Sequence, residues 1–323
     1  MTARPAFSAT ASLLHNNLVS SPSGSLCSVH NSVNAGCGKL MMFGCPSAPN
    51  SCTQGPEANQ VTSVRFLDLG SCVVLCVSST NGTQIYNEDA TQLFFFAPVT
   101  DTATEVDVLK HHRGACVVPE LQHIVIGTSK GSLTLVNVSS GSFVPAPESL
   151  PAQLTTEVSD VCFSAAANMV VSAHSNGELR TWQLSATGPY LNGLSMPPSL
   201  PNSQAPVRIA SLTPSAQIMV AYGPGTICLY DAFSLELQVE LSAHARWING
   251  VDVREDMGIF ASVGEDTVLN VWQVEPTKRQ VCLLKTTPVV DKLLTGVAFR
   301  GAAMAGVAVT AYDSEVIYEV ALQ

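Results

Sequence analysis

Apolar positions along this chain come in short bursts, not in long stripes. Three bursts follow one another in the stretch "INGVDVREDMGIFASVGEDTVLNVW": residues 248–253, 259–263 and 267–272. Each has the length of a strand, carries β-branched or aromatic residues, and is bounded by "REDMG" or "GED", which are turn compositions and not helix caps. No segment of the chain keeps a 3.6-residue apolar period over three turns, so helices are not expected. The stretch predicts a three-stranded meander.

The same meander recurs. Residues 158–182 ("VSDVCF…NMVVSAHSNGELRTW") overlay it without a gap, so that Ser172 falls on Ser262, Asn176 on Asp266 and Trp182 on Trp272. Weaker copies occupy residues 61–86, 115–136, 209–231 and 295–318, and runs such as "QLFFFAP" and "ELQVELS" between copies supply a fourth strand. A unit of very roughly 45 residues with four strands, a Trp or Tyr ending the third, is the pattern of a β-propeller blade of the WD40 kind. Six copies are readable, and residues 13–43 make one more. The expected fold is all-β: a single propeller over residues 1–323, with seven blades and six as the alternative. Strands within about residues 11–45 are expected to help close the ring, and residues 46–59 and 185–206 read as long loops, the second being Pro-, Gly- and Ser-rich.

The best copy contains a tempting constellation. His244 precedes the first strand, Ser262 sits on the second, Asp266 opens the next hairpin and Trp272 ends the third strand. A Ser-His-Asp triad is one reading. A triad serine, however, sits on an exposed elbow, whereas Ser262 is mid-strand in an apolar run, and no other copy holds a His at the matching place. The expectation is a buried hydrogen-bond network, His244–Asp266, His244–Ser262 and Trp272–Ser262, that gives each polar group a partner. No catalytic residue is assigned. A channel hydrolase would need polar residues converging from several blades at matching positions, and the copies align on apolar ones.

Candidate partner-binding residues lie in the connections. Arg246 and Trp247 occupy the loop entering the best blade, a pairing favoured at interaction hot spots. The alternative for Trp247 is packing against the neighbouring blade. His111 and His112 are adjacent, and neighbouring residues on extended chain point to opposite sides, so they make a poor metal clamp and are placed on the rim. Tyr190 adds an aromatic in the 185–206 stretch.

Composition narrows the class. Charged residues make up 12% of the chain, against roughly 25% in ordinary soluble domains. The 15 basic residues are scattered among 25 acidic ones for a net charge of -10, which disfavours nucleic acid. The longest apolar stretch, "GAAMAGVAVTAY", is too short to cross a bilayer as a helix. The 10 cysteines form no Cys-x-x-Cys pair and mostly sit inside apolar runs, as reduced thiols in a cytoplasmic protein would. No metal, cofactor or small-molecule substrate is expected.

"LSAHARWINGVDV", "SVGEDTVLNVWQV" and "AYGPGTICLYDA" resemble WD40-repeat proteins. Together with "LLHNN" near the start and "VTAYDSE" near the end they more closely resemble the WD-repeat-containing protein 54 family. The likeness is strong over residues 209–272 and thin over 46–59. It implies a non-enzymatic propeller whose rim loops bind protein or peptide partners. A fixed structural subunit of a large cytoskeletal or ciliary assembly is the alternative. Asn176, Lys130 and Pro224 replace the turn Asp in three copies, so those blades must lean on apolar packing.

Overall fold

The three apolar runs of each meander copy become strands. The computed structural model describes residues 1–5, 13–32, 36–45, 48–99, 110–139, 141–146, 156–185, 188–195, 205–276, 279–301 and 305–322. Among these, the strands form seven four-stranded antiparallel sheets arranged as the blades of a propeller. Blade 1 comprises Leu18–Ser20, Leu26–Ser32, Cys37–Cys45 and Ala48–Asn59; blade 2, Val61–Asp68, Val73–Ser79, Gly82–Asn87 and Leu93–Pro98. Blade 3 comprises His112–Val118, His123–Thr128, Leu133–Ser139 and Ser142–Pro145; blade 4, Val158–Ser164, Met169–His174, Leu179–Ser185 and Gly188–Ser195. Blade 5 comprises Pro206–Leu212, Gln217–Tyr222, Thr226–Asp231 and Leu237–Ser242; blade 6, Ile248–Arg254, Ile259–Gly264, Val268–Glu275 and Gln280–Pro288. Blade 7 takes Leu294–Arg300, Gly306–Ala311 and Val316–Ala321 from the C-terminus, and its outermost strand is Thr2–Pro5.

Packing explains why the second strands read as continuous apolar runs. In blade 2, Leu75 and Val77 point into the core shared with blade 1, while Val74 and Cys76 point into the core shared with blade 3. Both faces of the strand are buried, so the period-2 alternation of a half-exposed sheet is lost. Seven separate clusters result, one in each gap between neighbouring blades. At about 1.5–3 kcal/mol for each fully buried aliphatic side chain, these gaps are the main source of stability. The gap between blades 7 and 1 holds the smallest cluster: Leu18, Leu26, Ala298, Ala308 and Ile317, with Phe43 against it.

A recurring irregularity shapes the inner ring. The innermost strands of blades 2 to 7 each carry a β-bulge near their start, as between Val61 and Ser63 or Ile248 and Gly250. Bulges sharpen the local twist and re-aim side chains. In blade 3 the bulge is Gly114, at φ +74°, and a Cβ there would meet Asp160 Oδ1 at 2.6 Å. Only glycine meets both demands.

Three expectations from the sequence need correction. Ring closure does not fall to residues 11–45, which build most of blade 1; it falls to Thr2–Pro5, paired antiparallel with Val316–Ala321 in the register Thr2↔Glu319 to Pro5↔Val316. Residues 46–59 are not a loop, since Ala48–Asn59 is the outer strand of blade 1. Residues 185–206 are likewise shortened by Gly188–Ser195, the outer strand of blade 4. The cause is common to all three. An outermost strand is held by backbone bonds to one neighbour and buries little, so its sequence tolerates Pro, Gly and polar residues without alternation.

Candidate functional site

In blade 6, the bulged inner strand, the second strand and the hairpin after it bring the four sequence-predicted residues together. His244 Nδ1 lies 2.9 and 3.0 Å from the two Asp266 carboxylate oxygens, and His244 Nε2 lies 2.7 Å from Ser262 Oγ. Trp272 Nε1 donates to Ser262 Oγ at 3.0 Å. The pattern fixes the imidazole as the Nδ1–H tautomer, donating to the carboxylate and accepting from the serine hydroxyl. Asp266 also accepts from the Ala245 amide at 3.0 Å, so the loop before the blade is tied to the hairpin within it. Ser262 is fully buried and its oxygen is engaged on both sides. A substrate has no approach to it, and the arrangement acts as a brace.

Blade 4 carries an equivalent brace that sequence reasoning missed. Ser172 Oγ lies 2.8 Å from His174 Nε2, and Trp182 Nε1 donates to the same oxygen at 2.7 Å. His174 Nδ1 donates to the Thr156 carbonyl at 2.9 Å. Here the His comes from the strand itself, two residues after the serine, so scanning the preceding loop for a His does not find it. Burial holds the His174 pKa down at about 4, which keeps the ring neutral. In blade 5 the same positions hold Tyr222 and Tyr230, whose hydroxyls meet at 2.9 Å. The available signal was register: Trp182, Tyr230 and Trp272 pair with Val170, Ile218 and Phe260 at the same point of their hairpins.

The rim candidates separate. Arg246 is exposed, but Trp247 is only half exposed. Its indole lies over Gly223 of blade 5, where a Cβ would come within 2.1 Å of it, and 6.2 Å from the His15 ring. His111 and His112 are buried and not on display. His112 Nδ1 sits 3.1 Å from Thr83 Oγ1 of blade 2, and His111 Nε2 lies 3.3 Å from Glu157. Both join blades. Tyr190 lies on the outer strand of blade 4, and its side chain is outside the described residues.

A second constellation appears where apolar matching positions argued against one. Arg65, Arg113, Asp160, Arg208 and Asp252 reach the central channel from blades 2 to 6. Arg65 donates to the carbonyls of Ala115 at 2.8 Å and Val161 at 2.9 Å, and pairs with Asp160. Asp160 accepts from the Ile209 amide at 2.9 Å and lies 3.7 Å from Arg208. Asp252 accepts from the amides of Phe299 at 2.8 Å and Val253 at 3.0 Å. Burial pushes the Asp252 carboxyl up to about 6 and Glu255, beyond it, up to about 7. These residues escape a position-by-position comparison because matching positions of the inner strands hold opposite charges, Asp160 against Arg208 and Arg65 against Asp252.

His15 and Asn16 lie across the channel on the side where the inner strands begin. Asn16, at φ +53°, donates from Nδ2 to the Val207 carbonyl at 2.9 Å, accepts from the Val251 amide at 2.8 Å, and its own amide donates to Asn249 at 2.8 Å. Asn17 bonds Thr295 and Thr310 of blade 7. A single asparagine pair thus ties blade 1 to blades 5, 6 and 7.

Seven four-stranded blades, an aromatic closing the third strand and a Ser–His–Trp brace inside the hairpin define a WD-repeat β-propeller. Within that class the WDR54 family model matches residues 47–321, and the chain belongs to the WDR54 family. WD repeat-containing protein 54 of mouse is 26% identical over 221 residues, covering 66% of this chain and 63% of the mouse protein. The human protein of the same name is 26% identical over 264 residues, covering 78% of this chain and 76% of its own length. Among solved structures, Raptor from Chaetomium thermophilum superposes with a TM-score of 0.73 at 11% identity, over 99% of this chain and 28% of that one. A chain of the mitotic checkpoint complex gives 0.72 at 14% identity, over 98% of this chain and 90% of its own. At such identities the likeness is one of fold.

Proposed function

We propose that this propeller is a non-enzymatic scaffold that holds protein or peptide partners on the face where its inner strands begin. The observation that carries the reading is the blade 6 brace: it anchors the loop bearing exposed Arg246 to a fully buried Ser262, which makes a rigid platform of that face. Pre-organised loops lose little freedom on binding. WD-repeat propellers in general serve as interaction modules, and cytoplasmic residence fits the unpaired thiols among the described residues, of which Cys27, Cys76, Cys116, Cys162 and Cys228 are buried. The experiment is recovery of partners from the native source with wild-type chain and with Arg246→Glu, which leaves the brace intact. Loss of a partner from a variant with unchanged thermal stability supports the reading; an identical set of partners from both overturns the rim site.

A second reading, a fixed subunit of a larger cytoskeletal or ciliary assembly, is favoured by a different surface. The outer strands of blades 2 and 3 expose Leu93, Phe94, Phe96 and Val144, with Phe94 stacked on Phe143 at 5.6 Å. Apolar side chains beside an unpaired strand edge are what a permanent neighbour covers. Cross-links that map partners to these strands, and none to the Arg246 face, would favour it.

A further inference from the structure

We propose that the upper part of the central channel is a binding site for one small inorganic anion of the phosphate or halide class. The cavity measures about 90 Å³ and is bounded by all seven innermost strands, with His15 and Asn16 across its top. Three guanidinium groups border it, those of Arg65, Arg113 and Arg208. One carboxylate answers them directly: Asp160, paired with Arg65 and 3.7 Å from Arg208. Asp252 turns its oxygens to the amides of Phe299 and Val253. Glu157 is 46% exposed and faces His111 and Arg113, and Glu255 faces Arg65 from outside this cavity.

The cavity's own lining therefore carries three guanidiniums against the two carboxylates of Asp160 and Asp252, a costly state unless something compensates it. Unsatisfied donors mark where compensation is wanted. Among the described residues, Arg208 Nε is buried without a hydrogen-bond partner. Ser63 Oγ, which accepts from the Gly114 amide at 2.8 Å, keeps its hydroxyl hydrogen to donate. Guanidinium forks and hydroxyls around a small pocket suit a compact anion, whereas water would satisfy the donors and leave the charge. Arg65 and Arg208 also border a wider cavity of about 340 Å³ on the opposite side, which gives an anion a way in that leaves His15 and Asn16 in place.

The test uses the full chain purified in sodium gluconate and dialysed against labelled inorganic phosphate or chloride at fixed ionic strength. Saturable uptake of about one anion per chain is expected, together with a rise in melting temperature that follows the same isotherm. Phosphate uptake with no chloride uptake assigns an oxyanion, and the reverse assigns a halide. Arg113→Gln should weaken uptake by roughly tenfold or more, while Lys39→Gln, on blade 1 in an exposed pair with Glu57, should leave it unchanged. No saturable uptake by wild type, or equal uptake by Arg113→Gln, overturns the site. Should Arg113→Gln fail to fold, the wild-type stoichiometry alone decides between the two results.

Discussion

Ser262 and Ser172 do the same work from two blades, each taking an indole N–H and giving its hydroxyl to an imidazole. Ser262→Ala and Ser172→Ala should each cost about 1–3 kcal/mol in urea unfolding, because indole and imidazole are left unpaired. His174 adds a pH dependence. Its folded pKa is depressed to about 4 from an ordinary 6.5, so the contribution is complete above pH 6.5 and is lost as pH falls toward 4, where only the unfolded chain takes up the proton. The stability gap between wild type and His174→Gln should therefore narrow by about 2 kcal/mol between pH 7 and pH 5, at about 1.4 kcal/mol per pH unit. Blade 6 was legible in the sequence because its His, Ser, Asp and Trp sit at recognisable intervals. The blade 4 brace was not, since moving the imidazole from loop to strand keeps the contact and changes the spacing, and the tyrosine pair of blade 5 changes the chemistry as well.

At the level of the strand, legibility follows burial. Second and third strands were found from their apolar runs because they fill two inter-blade cores at once. Outer strands such as Ala48–Asn59 and Gly188–Ser195 were read as loops because pairing with one neighbour through the backbone leaves no mark on side-chain pattern. Thr2–Pro5 is the extreme case, four residues whose role is to supply backbone partners to Val316–Ala321. Removing residues 2–5 should expose that edge, lower the melting temperature by several degrees and give concentration-dependent dimers, visible by light scattering. Gly114→Ala tests a tighter point: at positive φ and against Asp160, a methyl group should cost about 2–4 kcal/mol by thermal unfolding, as a change that strains backbone and core together.

For the whole molecule, stability is parcelled into seven gaps of unequal strength, with the smallest apolar cluster among the described residues between blades 7 and 1. That seam is reinforced by polar means: Asn17 with Thr295 and Thr310, and Arg300 with the Gly24 carbonyl. Asn16 ties the same segment to blades 5 and 6; Asn16→Ala removes two side-chain bonds and should cost about 2–3 kcal/mol, with hydrogen exchange rising first at the Val251 amide of blade 6, which it frees. Blade number and ring were legible in the repeat, since each copy carries its own three runs. The channel was not, because matching positions hold opposite charges, Arg65 against Asp252 and Asp160 against Arg208, and these residues meet only when the circle is formed.

The pairing of Thr2 with Glu319 has a consequence for biosynthesis. Residues made early must wait for residues made more than 300 positions later, so blade 7 stays incomplete until Val316–Ala321 has been synthesised, and its open edge is available to other nascent chains until then. Closure is therefore a late step of folding, and any change that holds Thr2–Pro5 away from Val316–Ala321 will act on that step before it acts on any partner.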